Sequence, residues 1–350
     1  MSQKPVGHRA FIERLVIAIA IVGLALLLWE LRGLLILVFG AVLVSVILGL
    51  IAEPIRNRLG VPQWLALLAA VLIVAGVFGI AFWLFGAETA RQASALQQAI
   101  PKAWAAFQAR LEPLGLAQPL REAIAGLQDS AGGVLSNLGR IAVSIGGGLA
   151  DALLVLVGGI YLAAQPGLYR SGLVKLVPPG GRARVELALD DSRRALRLWL
   201  LGRLVSMVFI GLLTGIGLWL LGIPGALALG VVAFILEFVP FVGPILSSIP
   251  AILLAVAFDP TTAIWVALLY VGIQQLEGNV IEPLVQQRAV DLPPALLLFS
   301  IVAGGLIFGV VGVIFAAPLL VVVFVMVKRL YVREALGTHT DLPGEAKSQS

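Results

Sequence analysis

The chain of 350 residues has no cysteine. That excludes disulfide cross-links and thiol chemistry, and by itself says nothing about compartment. Histidine is almost as scarce: His8 and His339 stand near the two ends, so a histidine-based metal motif cannot be assembled. Charge is thin as well, with Asp, Glu, Lys and Arg making up only 12% of residues, where soluble domains carry roughly 25%. Neither a Gly-x-Ser-x-Gly elbow nor a phosphate-cradling loop closing on Lys-Ser/Thr occurs. No enzyme chemistry, cofactor or resident metal is therefore expected. Without an ATP site, any transport has to be passive or drawn from an ion gradient.

What the chain has instead is apolar length. Hydrophobic residues make up 60% of it, which predicts an all-α, polytopic membrane protein. The net charge of +5 is modest. It calls for orientation by the positive-inside rule and for contact with membrane lipids, and it needs no nucleic-acid partner.

Lys4, His8, Arg9 and Arg14 precede an apolar run from Leu15 to Trp29. Trp29-Glu30 follows where a signal peptide would have a small-residue cleavage site, so this reads as an uncleaved first span with a cytoplasmic N-terminus. The second span, from about Leu34 to Ala52, ends at Glu53-Pro54 with Arg56 and Arg58; Trp64 to Phe85 is the third. Residues 1–85 thus form a unit of three spans. From 86 to 140 a helical period replaces the long runs, with Ile100, Trp104, Phe107, Leu111 and Leu114 on one face, and an external amphipathic helical hairpin is expected. Residues 141–165 form the fourth span. It carries Asp151, which is either a functional carboxylate at membrane depth or an Asp hydrogen-bonded beside the flexible Gly146-Gly147-Gly148 entry.

Residues 166–202 hold seven cations, among them Arg170, Arg193 and Arg197. This marks the cytoplasmic side and predicts a basic amphipathic helix along the inner leaflet, with Val185, Leu189, Leu196 and Leu200 as its apolar stripe. The fifth span runs from Arg203 to Leu221. Lys328, Arg329 and Arg333 place the C-terminus inside, and residues 333–350 read as a disordered tail. Counting two broken segments, about eight spans are expected in all, fewer crossings if those segments re-enter.

The core is 203–332. Two apolar segments there, Gly225 to Phe258 and Ala295 to Val327, are each interrupted: the first by Pro240-Phe241-Val242-Gly243-Pro244, the second by Gly304, Gly305, Gly309 and Gly312, with Pro318 beyond. Proline removes an amide donor. A break at membrane depth survives only inside protein or beside water, because hydrocarbon cannot satisfy the freed backbone groups. Paired broken segments mark a secondary transporter's binding site. The segments echo one another weakly, since Pro244 precedes Pro250 as Gly312 precedes Pro318, by six residues. Polar candidates surround the breaks. Glu237 lies just before Pro240, and Gln274, Gln275, Glu277 and Asn279 cluster before the loop of Glu282, Arg288 and Asp291. Acidic and amide groups beside unwound backbone suit a proton, a sodium ion or a polyol; the cluster reads equally as a helix end satisfied by water.

The run Glu237-x-x-Pro240-Phe241-Val242-Gly243-Pro244, then Ile249-Pro250, Gln275-x-Glu277-Gly278-Asn279 and Glu282-Pro283, resembles the AI-2E family of bacterial membrane proteins. Gly305, Phe308-Gly309, Gly312 and Ala317-Pro318 extend the match, and Gln287 departs from it where relatives often have glycine. The resemblance implies a multi-span inner-membrane transport protein that forms homo-oligomers, a pentamer among them. It implies as substrate a small polar solute such as autoinducer-2, or a monovalent cation exchanged for protons. A non-transporting scaffold that recruits partners is the expectation of another class.

Overall fold

The computed structural model describes residues 8–80, 83, 150–281, 283, 292–338 and 340. The expected external hairpin, Glu282, Gln287, Arg288 and Asp291 lie outside them. Among the described residues every regular element is helical. Five helices are long and apolar enough to cross a membrane, six if the bent pair 150–164 and 166–175 counts as one span. The chain is a multi-pass membrane protein.

Helix α1 (His8–Glu30) runs into α2 (Arg32–Leu59) through Leu31 alone. At Leu31, with φ −82° and ψ 4°, the ladder is interrupted, although the Leu31 amide donates to the Leu27 carbonyl and the Leu35 amide to that of Leu31. The expected first and second spans are thus two helices with a single residue between them. From Leu15 to Trp29 the side chains of α1 are exposed and almost all apolar, as suits contact with lipid. Gly60, at φ 63°, caps α2.

Helix α3 (Gln63–Ile80) and α4 (Ala150–Ala164) follow. At the foot of α4 the chain turns by 89° into α5 (Pro166–Lys175). Proline at the first position of α5 forbids continuation. The orphan carbonyls of Ala163 and Ala164 accept hydrogen bonds from the Gln63 side chain at 3.3 and 3.1 Å.

Helix α6 (Arg182–Leu220) is one uninterrupted element of 39 residues, about 58 Å long at ~1.5 Å per residue. The expected in-plane basic helix and the fifth span are therefore a single rod. No proline lies between Arg182 and Leu220, and of the apolar stripe Leu196 and Leu200 are buried in protein while Val185 and Leu189 are half-buried. Leu196, Trp199 and Leu200 pack with Leu43 and Leu50 of α2 and with Ala317, Val321 and Val325. At this arginine-rich end three of the cations are paired: Arg193 (2.8 Å) and Arg197 with Glu53, Arg170 with Glu186 (3.1 Å) and Asp190.

Helices α7 (Ala226–Leu236) and α8 (Val242–Phe258) form a hairpin, because Ala226 and Leu229 near its start pack with Ala251, Leu254 and Ala255 near its end. Leu218 and Ile223 join that cluster, so this hairpin enters from the end of the molecule opposite the arginines. Asp259 caps α9 (Pro260–Leu276), accepting from the Thr262 amide at 3.0 Å. That bond holds its carboxyl below the usual carboxylate range.

The long segment α10 (Pro294–Met326) also doubles back. Gly309 sits at φ 66°, ψ −146°, and a Cβ on Gly304 would lie 2.7 Å from the Gly312 carbonyl oxygen and 3.3 Å from the Ala316 Cβ. In a straight helix residues 304 and 316 would be about 18 Å apart. The arms 294–308 and 310–326 are therefore antiparallel, and glycines let them touch. Phe315 meets Phe39 and Val321 lies in the cluster of Leu50, while Ile307 and Phe308 share a small cavity with Glu30 and Arg32. This hairpin enters from the arginine-rich end, opposite to the first. A π-helical stretch, Val327–Ala335, continues it. Helix thus persists into the expected disordered tail, where Glu334 pairs with Arg184 (3.4 Å), and just before it Arg329 pairs with Asp191 (3.5 Å).

Candidate functional site

The site begins with glycines. Where α6 and α7 cross, a Cβ on Gly230 would lie 2.8 Å from the Gly211 carbonyl oxygen and from the Gly215 Cα, so the two backbones are in contact. Running antiparallel from that crossing, α7 carries its last residues down to the level of Arg203 on α6. The helix ends there, and the tip that follows satisfies its own backbone. The Phe238 and Val239 amides donate to the Ile235 and Leu236 carbonyls, and that of Gly243 donates to Val239. The Val242 amide donates to the Pro240 carbonyl at 2.7 Å, closing a γ-turn centred on Phe241, the sole non-glycine residue at positive φ (64°) among those described. A Cβ on Gly243 would fall 2.2 Å from the Leu236 carbonyl oxygen, so no larger residue fits where the tip pinches. Pro240, Gly243 and Pro244 thus build the turn, with Pro244 in the first turn of α8, where its missing amide costs least.

This turn aims Glu237 at Arg203. One guanidinium nitrogen, Nη2, donates to Glu237 Oε1 at 2.5 Å; the other, Nη1, donates to Glu277 Oε1 at 3.3 Å. Glu277 opens a π-helical turn, Glu277–Ile281, at the end of α9, and its Oε2 accepts from Gln274 Nε2 at 2.9 Å. Single π-turns recur at functional positions because they re-aim a side chain that an α-helix would point elsewhere. Glu237 is 1% exposed, and the Arg203 and Glu277 side chains are 11% exposed. Trp199 and Phe238 stack edge to face beside the trio at 6.0 Å, and Ile210, Ile273 and Ile281 close another side.

Two carboxylates on one guanidinium are an unequal arrangement. Taking an ion out of water costs several kcal/mol, which bridging by Arg203 offsets. With all three ionised the trio still carries one negative charge in excess. The Glu237 Oε2 and Arg203 Nε atoms are buried and have no hydrogen-bond partner among the described residues. A proton, a small cation or a hydroxyl-bearing solute would satisfy the carboxylate oxygen.

Of the residues singled out in the sequence, Glu237, Gln274 and Glu277 come together here, and Pro240, Gly243 and Pro244 shape the support. Gln275 and Asn279 do not join them: both are exposed, and the Asn279 amide donates to the Gln275 carbonyl and side-chain oxygens at 2.8 and 3.2 Å, a local helix-end bond. Asp151 is exposed near the start of α4, apart from the trio. Gly304, Gly305, Gly309 and Gly312 belong to the second hairpin's own arms and tip, and Pro318 is buried in its second arm. Arg203 is the member that sequence reasoning passed over, as the first residue of a span. The signal was present: a carboxylate inside an apolar helix needs a cation, and Arg203 is the nearest one preceding Glu237 in the chain.

Comparison with known proteins agrees with this architecture. The family model described as AI-2E family transporter matches residues 15–332. YrrI of Bacillus subtilis is 28% identical over 166 residues, 47% of this chain and 47% of that protein. The AI-2 transport protein TqsA of Escherichia coli is 27% identical over 163 residues, covering 45% of this chain and 44% of its own length. A relative from Haemophilus influenzae is 26% identical over 297 residues, 79% of this chain and 82% of the relative. The matched stretch thus spans about half the length of YrrI and of TqsA. The chain belongs to the AI-2E family of transporters.

Proposed function

We propose that this protein is a secondary transporter of a small polar solute, and that the solute or its coupling ion is met at Arg203, Glu237 and Glu277. The observation that carries the reading is the buried, charge-unequal trio at the tip of a helical hairpin inside apolar sequence. A guanidinium that donates, two carboxylates that accept and a neighbouring amide suit hydroxyl and carbonyl groups. An autoinducer-2-like signal is the first solute to test, given the name of the relative TqsA. On this reading the protein lies in the bacterial inner membrane with its arginine-rich end cytoplasmic. On this reading Lys328 and Arg329 keep the C-terminal helix on that side. The chain performs no covalent reaction of its own.

A second reading, sodium or lithium exchange for protons, is favoured by one specific observation, the unpartnered Glu237 Oε2 beside an excess negative charge. The two readings separate in proteoliposomes. Uptake of labelled autoinducer-2 by the wild-type protein, abolished in Glu277→Gln, supports solute transport. Dequenching of an internal pH dye on sodium addition, with no solute uptake, supports exchange. Silence in both assays from pH 6 to 9 would count against a transport role for the trio.

A further inference from the structure

At the arginine-rich end a cavity of about 600 Å³ opens between α2, α3, the α4–α5 elbow, the first turns of α6 and the second arm of α10. Its size lies within the ~300–1,000 Å³ of small-molecule sites. None of Arg203, Glu237 and Glu277 lines it. The inner part of the wall is apolar, formed by side chains such as Val46, Leu50, Leu67, Leu162 and Val322; the mouth is charged, with Arg56, Arg170, Arg193 and Arg197 against Glu53 and Asp190. Glu186 also pairs with Arg170, and even with that carboxylate included the cations are in excess.

The arginines at the mouth differ in how far they are used. Arg197 and Arg170 are committed to Glu53 and to Asp190. Arg193 reaches Glu53 through one nitrogen while more than half of its side chain stays exposed. Arg56 is exposed and has no carboxylate partner among the described residues. Both therefore keep donors that an anion at the mouth would take. An apolar bore closed by a cationic rim is complementary to one kind of molecule, an amphiphile with a negative head and a hydrocarbon tail.

We propose that this cavity is a binding site for an anionic phospholipid of the adjoining leaflet, one acyl chain lying in the bore and the head-group phosphate resting on Arg56 and Arg193. The elbow at Gln165-Pro166 leaves the opening beside the ends of α2 and α5, where a basic pocket between helices meets head groups. Bound there, the lipid bridges α2, α5 and α6, adding to the apolar packing of Leu50 on Leu196 and Leu200 and to the Glu53 and Arg170 ion pairs.

Two variants test head and tail separately. Arg56→Gln removes a head-group donor that makes no ion pair. Gly49→Leu fills the bore: Gly49 lines the cavity, and a Cβ there meets nothing nearer than Glu53 Oε1 at 4.0 Å. The full chain is purified in a neutral detergent and offered equal amounts of dioleoyl phosphatidylglycerol and dioleoyl phosphatidylcholine, and retained lipid is counted by native mass spectrometry alongside thermal midpoints that confirm folding. Wild type is expected to retain phosphatidylglycerol in preference. Arg56→Gln is expected to lower that preference about fivefold, the contribution of one basic residue near a membrane surface. Gly49→Leu is expected to lose retention of both lipids while remaining folded. Equal retention of the two lipids by wild type, or undiminished phosphatidylglycerol on folded Gly49→Leu, would overturn the proposal. So would displacement of the lipid by millimolar inorganic phosphate, which would mark a site for the free anion.

Discussion

The hairpin at 226–258 and the hairpin at 294–326 enter the apolar layer from opposite ends, and they turn by different chemistry. The first turns on a bulky residue, Phe241, held at φ 64° in a γ-turn flanked by prolines, and it carries a buried carboxylate tied to an arginine on another helix. The second turns on Gly309, whose φ 66°, ψ −146° is open to glycine almost alone, and its arms meet through Gly304 and Gly312 with no charged residue between Pro294 and Met326. Phe241 stands three residues before Pro244 and nine before Pro250; Gly309 stands three before Gly312 and nine before Pro318. The weak sequence echo thus aligns the two turning residues. The contrast teaches that one hairpin turns cheaply because glycine permits it. The other is held in a strained turn, and such strain persists where surrounding contacts over-determine it, as they do around a site.

The comparison can be broken most forcefully at its charged half. Arg203→Met leaves Glu237 and Glu277 buried without their cation, and a loss of about 3–5 kcal/mol is expected, read as a fall in the detergent-solubilised thermal midpoint. At the uncharged half, Gly312→Val drives a side chain into the Gly304 carbonyl oxygen, 2.0 Å from the Cβ position, and prises the arms apart. A cost of about 1–3 kcal/mol or more is expected, with faster hydrogen exchange confined to 294–326. Gly309→Ala leaves space but strains the backbone, and should cost roughly 1–3 kcal/mol. The smallest effect sharpens the contrast by its sign. Phe241→Gly relieves the strained turn, offset in part by the ~0.5–1 kcal/mol of glycine's extra unfolded-state entropy, so a gain of about 1 kcal/mol is expected. A loss there would show that the Phe241 side chain contributes more than its backbone strain costs.

Much of this arrangement was legible in the sequence because the signals were local. Pro240, Gly243 and Pro244 announced one break and Gly304, Gly305, Gly309 and Gly312 the other, and Glu237 stood out as a lone carboxylate in apolar sequence. Gln274 and Glu277 were legible as members of a cluster, but not their separation from Gln275 and Asn279, because the π-turn that re-aims Glu277 leaves no compositional mark. The continuity of α6 was hidden by a change of solvent. Its first half reads as a basic amphipathic helix along the inner leaflet and its second as a span, although no proline divides them. Arg203 was visible as a residue and invisible as a partner, since only the contact of Gly230 with Gly211 and Gly215 brings it to Glu237.

The most direct test of the trio as the transport centre is uptake of labelled autoinducer-2 into proteoliposomes holding matched amounts of folded wild-type protein and Glu237→Gln, an isosteric change that keeps a polar group facing Arg203. A fall of at least tenfold with the thermal midpoint preserved to within a few degrees is expected, since the change removes the one negative charge that Arg203 leaves in excess while Glu277 still balances the guanidinium. Uptake undiminished in the folded variant would contradict the account and leave the trio as a structural brace between α6, α7 and α9.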